Sequence, residues 1–302
     1  MQTQINFIIL PTNYQGVLNN LSPTTSSPQQ LAETARRLRI SIIEMLSQAG
    51  SGHSGGSLSC IDILTCLFFS YLDHDATNPH HEERDRFILS KGHGAPALYA
   101  VLAECGYFPN EWLSRLRRMG AELQGHPDMR RVPGVEISTG SLGQGLSLGV
   151  GMALADRLDS KQRKVVVLMG DGEQQEGMVW EAAMAAAHHG LDNLIGIVDL
   201  NGLQIDGQVC QVMNIAPLAD KWAGFGWQVK EVDGHNLEEL LSALAWCDEQ
   251  KGKPQILIAR TVKGKGVSFM ENKKEYHGVA PSPQERIEAL SGLGCDCGVK
   301  SK

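Results

Sequence analysis

The sequence predicts an α/β fold: a doubly wound, mostly parallel sheet with helices on both faces. Three observations point to it. The strands read as continuous apolar runs, helical segments alternate with them, and nothing resembling a linker interrupts the chain between Pro28 and Gln284.

Met1 to Gln30 holds no Asp, Glu, Lys or Arg. Its apolar run, Ile5–Leu10, is short, and it lacks the basic start, long apolar core and small-residue cleavage site of a secretory signal. Residues 1–27 are therefore expected to be a poorly ordered extension, or the product of a start codon assigned too far upstream. The first helix is expected over Pro28–Ala49. Ser27 suits the N-cap, Pro28 the first turn, and Gln30 completes a capping-box spacing. Leu31, Ala35, Leu38, Ile42, Met45 and Ala49 then share one face, and Gly50-Ser51-Gly52 stops the helix. A second helix is expected over Ser59–Tyr71.

Phe87–Leu89 reads as a buried strand, followed by Ser90-Lys91-Gly92-His93-Gly94 and a helix over Ala95–Glu104. Lys164–Met169 is the strongest strand, followed by Gly170-Asp171-Gly172 and a helix over Glu176–His189. Leu194–Asp199, Gln228–Val232 and Gln255–Ala259 read as further strands, and Leu218–Phe225 and Leu237–Glu249 as helices. Residues 28–283 are taken as one domain, with 284–302 as a tail made of a short helix and a frayed end.

Composition narrows the function. The 302 residues are 42% hydrophobic and 20% charged, enough for a sizeable core. The net charge of −7 argues against a nucleic-acid or anionic-membrane partner. No run of about 20 apolar residues suggests a membrane span. Glycine is abundant, at 33 residues, against roughly 7% in average proteins, which suggests tight turns and close backbone approaches to a ligand. The seven cysteines form no C-x-x-C pair, which fits a reducing compartment and a cytoplasmic protein. Cys295 and Cys297 read as a reduced tail rather than a metal pair.

In such folds ligands bind beyond the carboxyl ends of the strands. Gly170-Asp171-Gly172 and Asn201-Gly202 each directly follow a strand, one helix and one strand apart. Each alone reads as a turn. Together they offer a carboxylate and an amide oxygen, hard donors suited to Mg²⁺ or Ca²⁺, beside glycines that let backbone N–H groups approach a phosphate.

These two segments, Gly170-Asp171-Gly172-Glu173-Gln174-Gln175-Glu176-Gly177 and Asp199-Leu200-Asn201-Gly202-Leu203-Gln204-Ile205-Asp206-Gly207, resemble the signature of the thiamine-diphosphate enzymes. Within that superfamily the chain is similar to the N-terminal half of the transketolases. Five more segments carry the resemblance: Gly52-His53-Ser54-Gly55-Gly56, Ser90-Lys91-Gly92-His93, Gly125-His126-Pro127, Thr139-Gly140-Ser141-Leu142-Gly143-Gln144-Gly145 and Tyr276-His277-Gly278. They keep the family's order from about residue 30 to 285. Ser54 stands where many relatives carry Pro, which alters loop rigidity.

The resemblance implies that thiamine diphosphate is the cofactor and Mg²⁺ (or Ca²⁺) the metal, held by Asp171, Asn201 and the carbonyl of Leu203. It implies diphosphate contacts from the Gly170–Gly172 turn, with Gly172 N–H as donor, and an aminopyrimidine pocket lined by Gly140 and Leu142. His53, His93, His126 and His277 are implied to face the cofactor and the substrate hydroxyls. Glu176 is implied to join an acidic network at a subunit interface. The other six histidines, His74, His80, His81, His188, His189 and His235, read as surface or packing residues.

The implied activity is transfer of a two-carbon ketol unit from a ketose to an aldose, sugars or sugar phosphates. A whole transketolase is about twice this long, so the resemblance implies a C-terminal partner subunit, two copies of each chain, and an active site incomplete without it. Two alternatives stand beside this. One is another thiamine-diphosphate component, of the 2-oxo acid dehydrogenase or deoxyxylulose-phosphate synthase type. The other is a non-catalytic homologue that keeps only the fold.

Overall fold

The computed structural model describes residues 26–295. The expected N-terminal extension, apart from its last two residues, and Cys297 lie outside the described residues. Five apolar runs form one all-parallel sheet: β1 (Arg86–Leu89), β2 (Val165–Gly170), β3 (Leu194–Leu200), β4 (Gln228–Asp233) and β5 (Gln255–Arg260), in spatial order β1-β2-β3-β5-β4. The helices, in chain order, are α1 (Pro28–Ala49), α2 (Ser54–Ser59), α3 (Ile61–Cys66), α4 (Ala95–Glu104), α5 (Gln144–Leu158), α6 (Gly177–His188), α7 (Val209–Val212), α8 (Leu218–Gly224), α9 (Leu237–Glu249) and α10 (Pro283–Gly292).

Side chains of a strand point alternately to opposite faces, and β2 uses both. Val166 and Leu168 join a core built with α1, α3, α4 and α9. Val165, Val167 and Met169 join a second core with α5, α6 and α8. The doubly wound expectation is met. α1 starts with the full Ser27–Gln30 capping box and ends on Gly50 at φ 66°. α10 lies in the segment expected as the tail and packs against α1, with Arg286 paired to Glu44.

Two elements differ from the sequence expectation. The single helix expected over Ser59–Tyr71 is instead α2, α3 and a wide turn at Leu67–Tyr71. Local side-chain bonds compete with the helical ladder here: Ser57 Oγ donates to His53 O at 2.6 Å, and Ser59 Oγ to Gly56 O at 3.1 Å. The second difference is α5, which periodicity did not reveal. It carries Gly145, Gly149 and Gly151, which lower helix propensity. Gly149 is needed for contact: a Cβ there would lie 2.7 Å from Val167 Cγ2.

At the carboxyl edge of the sheet, Lys91 and Asp199 form an ion pair with side chains 1% and 0% exposed. Lys91 Nζ also donates to Gly56 O at 2.8 Å. Asp199 accepts from Ser59 Oγ at 2.6 Å, and also from Thr261 Oγ1. Asp199 holds its proton less tightly than an ordinary carboxyl group, because the neighbouring ammonium and these donors outweigh burial. Removing one partner of a buried pair leaves an uncompensated charge. Lys91→Ala is therefore expected to lower stability in urea unfolding by about 3–5 kcal/mol. The paired change Lys91→Met/Asp199→Leu is expected to cost less than Lys91→Ala alone.

Candidate functional site

The turns that follow β1, β2, β3 and β5 converge above the sheet edge. His53 caps the start of α2, and His93 sits in the turn that leads into α4. His277 ends the short turn Lys274–His277, and His126 lies in the loop between α4 and α5. The four loop histidines expected at the site are brought together. Ring centroids are 5.4 Å apart for His53 and His93, 5.4 Å for His53 and His277, 5.2 Å for His93 and His277, and 6.3 Å for His53 and His126. The imidazole Nδ1 of His53 is buried without a protein hydrogen-bond partner.

Burial disfavours the imidazolium, and neighbouring cations add to the effect. His53 is pushed down to about 4 and His277 to about 3, burial being the largest cause in each. His93 is lowered well below its ordinary value by burial and Lys91, and His126 is lowered by burial and Arg117. All four are neutral at pH 7, so each ring carries one N–H donor and one acceptor nitrogen.

Beside them lie the hard donors. Asp171, buried at the end of β2, accepts from Gly172 N at 2.7 Å and Gly202 N at 2.5 Å. Burial and Asp199 raise its pKa to about 6. A carboxylate in that state is short of positive charge, which suits a cation. Asn201 Oδ1 accepts from Leu203 N at 3.1 Å, and its Nδ2 donates to Asp199 at 3.3 Å. Among the described residues no group of three His, Cys, Asp or Glu side chains could hold a metal ion. The candidate set is of another kind: one carboxylate, one amide oxygen and the Leu203 carbonyl, hard oxygens of the type Mg²⁺ and Ca²⁺ take.

Gly170 leaves room toward Lys91, and a Cβ on Gly172 would meet Gln204 at 3.3 Å. Gly140, at φ 152°, lies against the His126 ring, where a Cβ would come within 3.1 Å of Cδ2. Leu142 is half-buried beside it. Glu176 is exposed and backs onto Gly143, where a Cβ would lie 2.7 Å from Glu176 Cβ.

Three buried residues at the site were not singled out from the sequence. Lys263 Nζ sits 2.9 Å from His277 Nδ1 and 3.1 Å from Leu203 O, joining the imidazoles to the oxygen donors. Burial and Lys91 lower its pKa to about 8. Lys91 lies within the quoted Ser-Lys-Gly-His segment, yet nothing in the sequence shows its ion pair across the sheet. Glu173 accepts from Gly143 N at 2.9 Å, Gly170 N at 3.0 Å and Ser90 Oγ, tying three turns together. His235 also does more than pack. Its Nε2 accepts from Val262 N at 2.8 Å and its Nδ1 lies 2.7 Å from Asp62, which holds the turn after β4 to the segment that carries Lys263.

Comparison with known proteins identifies the family. Residues 28–298 match the family "Transketolase, thiamine diphosphate binding domain". The chain is 47% identical over 247 residues to a 6-deoxy-6-sulfo-D-fructose transketolase component of Clostridium sp. (strain MSTE9), named as a subunit, covering 82% of this chain and 90% of that one. It is 42% identical over 275 residues to an apulose-4-phosphate transketolase component of Actinobacillus succinogenes, also named as a subunit, covering 90% of this chain and 99% of that one. Among solved structures it resembles the Campylobacter jejuni transketolase, with a TM-score of 0.84 and 34% identity, over 89% of this chain and 43% of that one.

The depressed imidazoles make stability depend on pH. An unfolded histidine takes up a proton near pH 6.5, whereas folded His53 and His277 resist protonation to about 4 and about 3. Their neutral forms contribute fully above pH 6.5, and that contribution is lost as pH falls to about 4 for His53 and about 3 for His277. The thermal midpoint of the chain is expected to drop across this window. His53→Gln is expected to make the drop shallower in a melting series at stepped pH.

Proposed function

The chain belongs to the transketolase family, as its thiamine diphosphate-binding part, and on that premise we propose that it is one half of a two-subunit transketolase. The observation that carries this reading is the cluster of four neutral imidazoles, joined through Lys263 to the carbonyl of Leu203, in the same group of turns as Asp171 and Asn201. Asp171 and Asn201 would serve the other thiamine-diphosphate component types equally well, and the four clustered imidazoles are what favours a transketolase.

Asp171, Asn201 and the Leu203 carbonyl hold Mg²⁺, or Ca²⁺ in its place. Gly172 offers its backbone amide to the diphosphate, and the turn from Gly170 gives that anion close access. The Lys263 ammonium lies where it can offset part of the diphosphate charge. Gly140 and Leu142 line the pocket for the aminopyrimidine ring. When bound, thiamine diphosphate supplies the electron sink for breaking and forming a carbon–carbon bond beside a carbonyl.

The imidazoles handle the protons. A neutral ring hydrogen-bonds a sugar hydroxyl through either nitrogen, so it can take a proton from one oxygen and return it to another. His53, whose Nδ1 lacks a protein partner, and His126 and His277 face the sugar. His93, the most deeply enclosed, faces the cofactor. N–H donors aimed at a carbonyl oxygen stabilise the negative charge that develops there.

The Actinobacillus relative spans nearly the same length as this chain and is named as one component of its enzyme. This supports a separate C-terminal partner chain, and the assembly we propose holds two copies of each. Leu148 of α5 and Met178 and Met184 of α6 are exposed apolar side chains, Met178 beside Glu176, which suits that contact. The named relatives act on a sulfonated ketose and a sugar phosphate, so the substrate proposed here is a ketose with an anionic end group.

Purified alone, the chain is expected to show no ketol transfer in a coupled aldose assay, and mixing with its partner is expected to restore it. Robust turnover by the isolated chain overturns the two-subunit reading. Asp171→Ala is expected to weaken Mg²⁺-dependent thiamine diphosphate binding by calorimetry on the complex, by more than the roughly 10–100-fold typical of changes around a metal's ligands.

A further inference from the structure

Arg117 has φ 59°, a left-handed backbone that a non-glycine residue keeps only where its surroundings over-determine it. Here they do. Its amide donates to Leu123 O at 2.8 Å, and the buried side chains of Leu116, Ala121 and Leu123 anchor the loop on either side. The strained backbone delivers the side chain to a particular place. A Cβ on Gly125 would lie 2.7 Å from Arg117 Nη2 and 2.8 Å from its Cζ. A Cβ on Gly52 would make only an ordinary contact with its Nε, at 3.7 Å, with Leu46 Cδ2 nearer at 2.5 Å. Gly125 does not adopt a left-handed φ, so the space filled by the guanidinium is what calls for glycine there. Gly52 and Gly125 immediately precede His53 and His126.

We propose that Arg117 is a positioning residue, a charged wedge against both loops that sets His53 and His126 relative to each other and places a fixed cation beside them. The inference rests on the transketolase reading only for what the two rings do. Among the described residues the guanidinium of Arg117 makes no ion pair.

The neighbours of each ring separate this cation from the others. His126 faces Arg117 from the loop at 116–123, His53 from the start of α2, and the backbone of Gly140. Tyr99 of α4 donates to the carbonyl of His126 rather than to its ring. Besides burial, Arg117 is the cation that lowers His126. His53 faces Arg117, Lys263, Lys91 and the rings of His93, His126 and His277. His126 is therefore the cleaner reporter. Its neutrality keeps an acceptor nitrogen available for a sugar hydroxyl.

The test follows imidazole C–H resonances of the full chain through a pH titration, in the wild type, Arg117→Lys and Arg117→Met. In Arg117→Met the His126 midpoint is expected to rise by about half to one unit, a roughly three- to tenfold gain in proton affinity. Arg117→Lys keeps the charge and is expected to titrate as the wild type does. In the reconstituted complex, Arg117→Met is expected to reduce kcat and move its acid limb upward, while thiamine diphosphate affinity stays within about twofold. Wild-type midpoints in Arg117→Met, or a lysine variant displaced as far as the methionine variant, overturn the proposal. The titration decides it even if the wild-type complex proves inactive, an outcome that counts against the transketolase reading instead.

Discussion

Asp199 lies near the end of β3 with no exposed surface, so the chain itself must satisfy its charge. Each segment that does so also carries a residue of the site. Lys91 comes from the turn after β1, two residues before His93. Ser59 ends α2, whose first turn begins just after His53. Thr261 follows β5, two residues before Lys263, and Asn201 donates from the next turn of the same strand. The positions of two imidazoles, one ammonium and one candidate metal ligand thus depend on how a single carboxylate is met. A change that weakens this anchor disturbs groups drawn from four turns together.

The charge balance around that anchor has a direction. Lys91, Lys263 and Arg117 are cations, and the four histidines are held neutral by burial and by those cations. Opposite them, Asp171 holds its proton up to about pH 6 because burial and the neighbouring Asp199 disfavour its charge. In the enzyme proposed above, a divalent cation would offset the charge of Asp171 and a diphosphate that of the lysines, so each ligand would favour the other. Neutral rings then remain as the groups able both to donate and to accept hydrogen bonds toward a sugar.

Much of this was legible in the sequence, for identifiable reasons. α1 announces itself through a capping box and a clean apolar face, and β2 through an unbroken Val-rich run. The oxygen donors were legible because Asp171 and Asn201 sit beside glycines directly after strands, and the four loop histidines because their Gly-flanked segments resemble the family's. α5 was not, since Gly149 serves packing against Val167 at the expense of the local helical signal. Lys91, Lys263 and Glu173 were hidden for a different cause. Their partners lie 108, 60 and 83 residues away in the chain, and a charged residue reads as solvated until the fold shows what surrounds it. His235 was read as a surface or packing residue for the same reason, because its partner Asp62 sits 173 residues away.

The degree of burial divides the imidazoles. His93 is enclosed by this chain, whereas His126 and the Arg117 beside it remain open to water. Water screens a charge acting on a ring, so the hold of Arg117 on His126 is weakest in the chain alone. Were the partner of the proposed two-subunit enzyme to cover this rim, it would replace that water with protein of lower dielectric, and the same guanidinium would act more strongly on the same ring without any movement of either. On that proposal the inner histidines are set by folding alone and the outer pair is completed by assembly. A site arranged this way keeps its proton-handling groups only partly tuned until the partner chain is in place, which ties the chemistry to the complex through electrostatics as well as through the residues the partner brings.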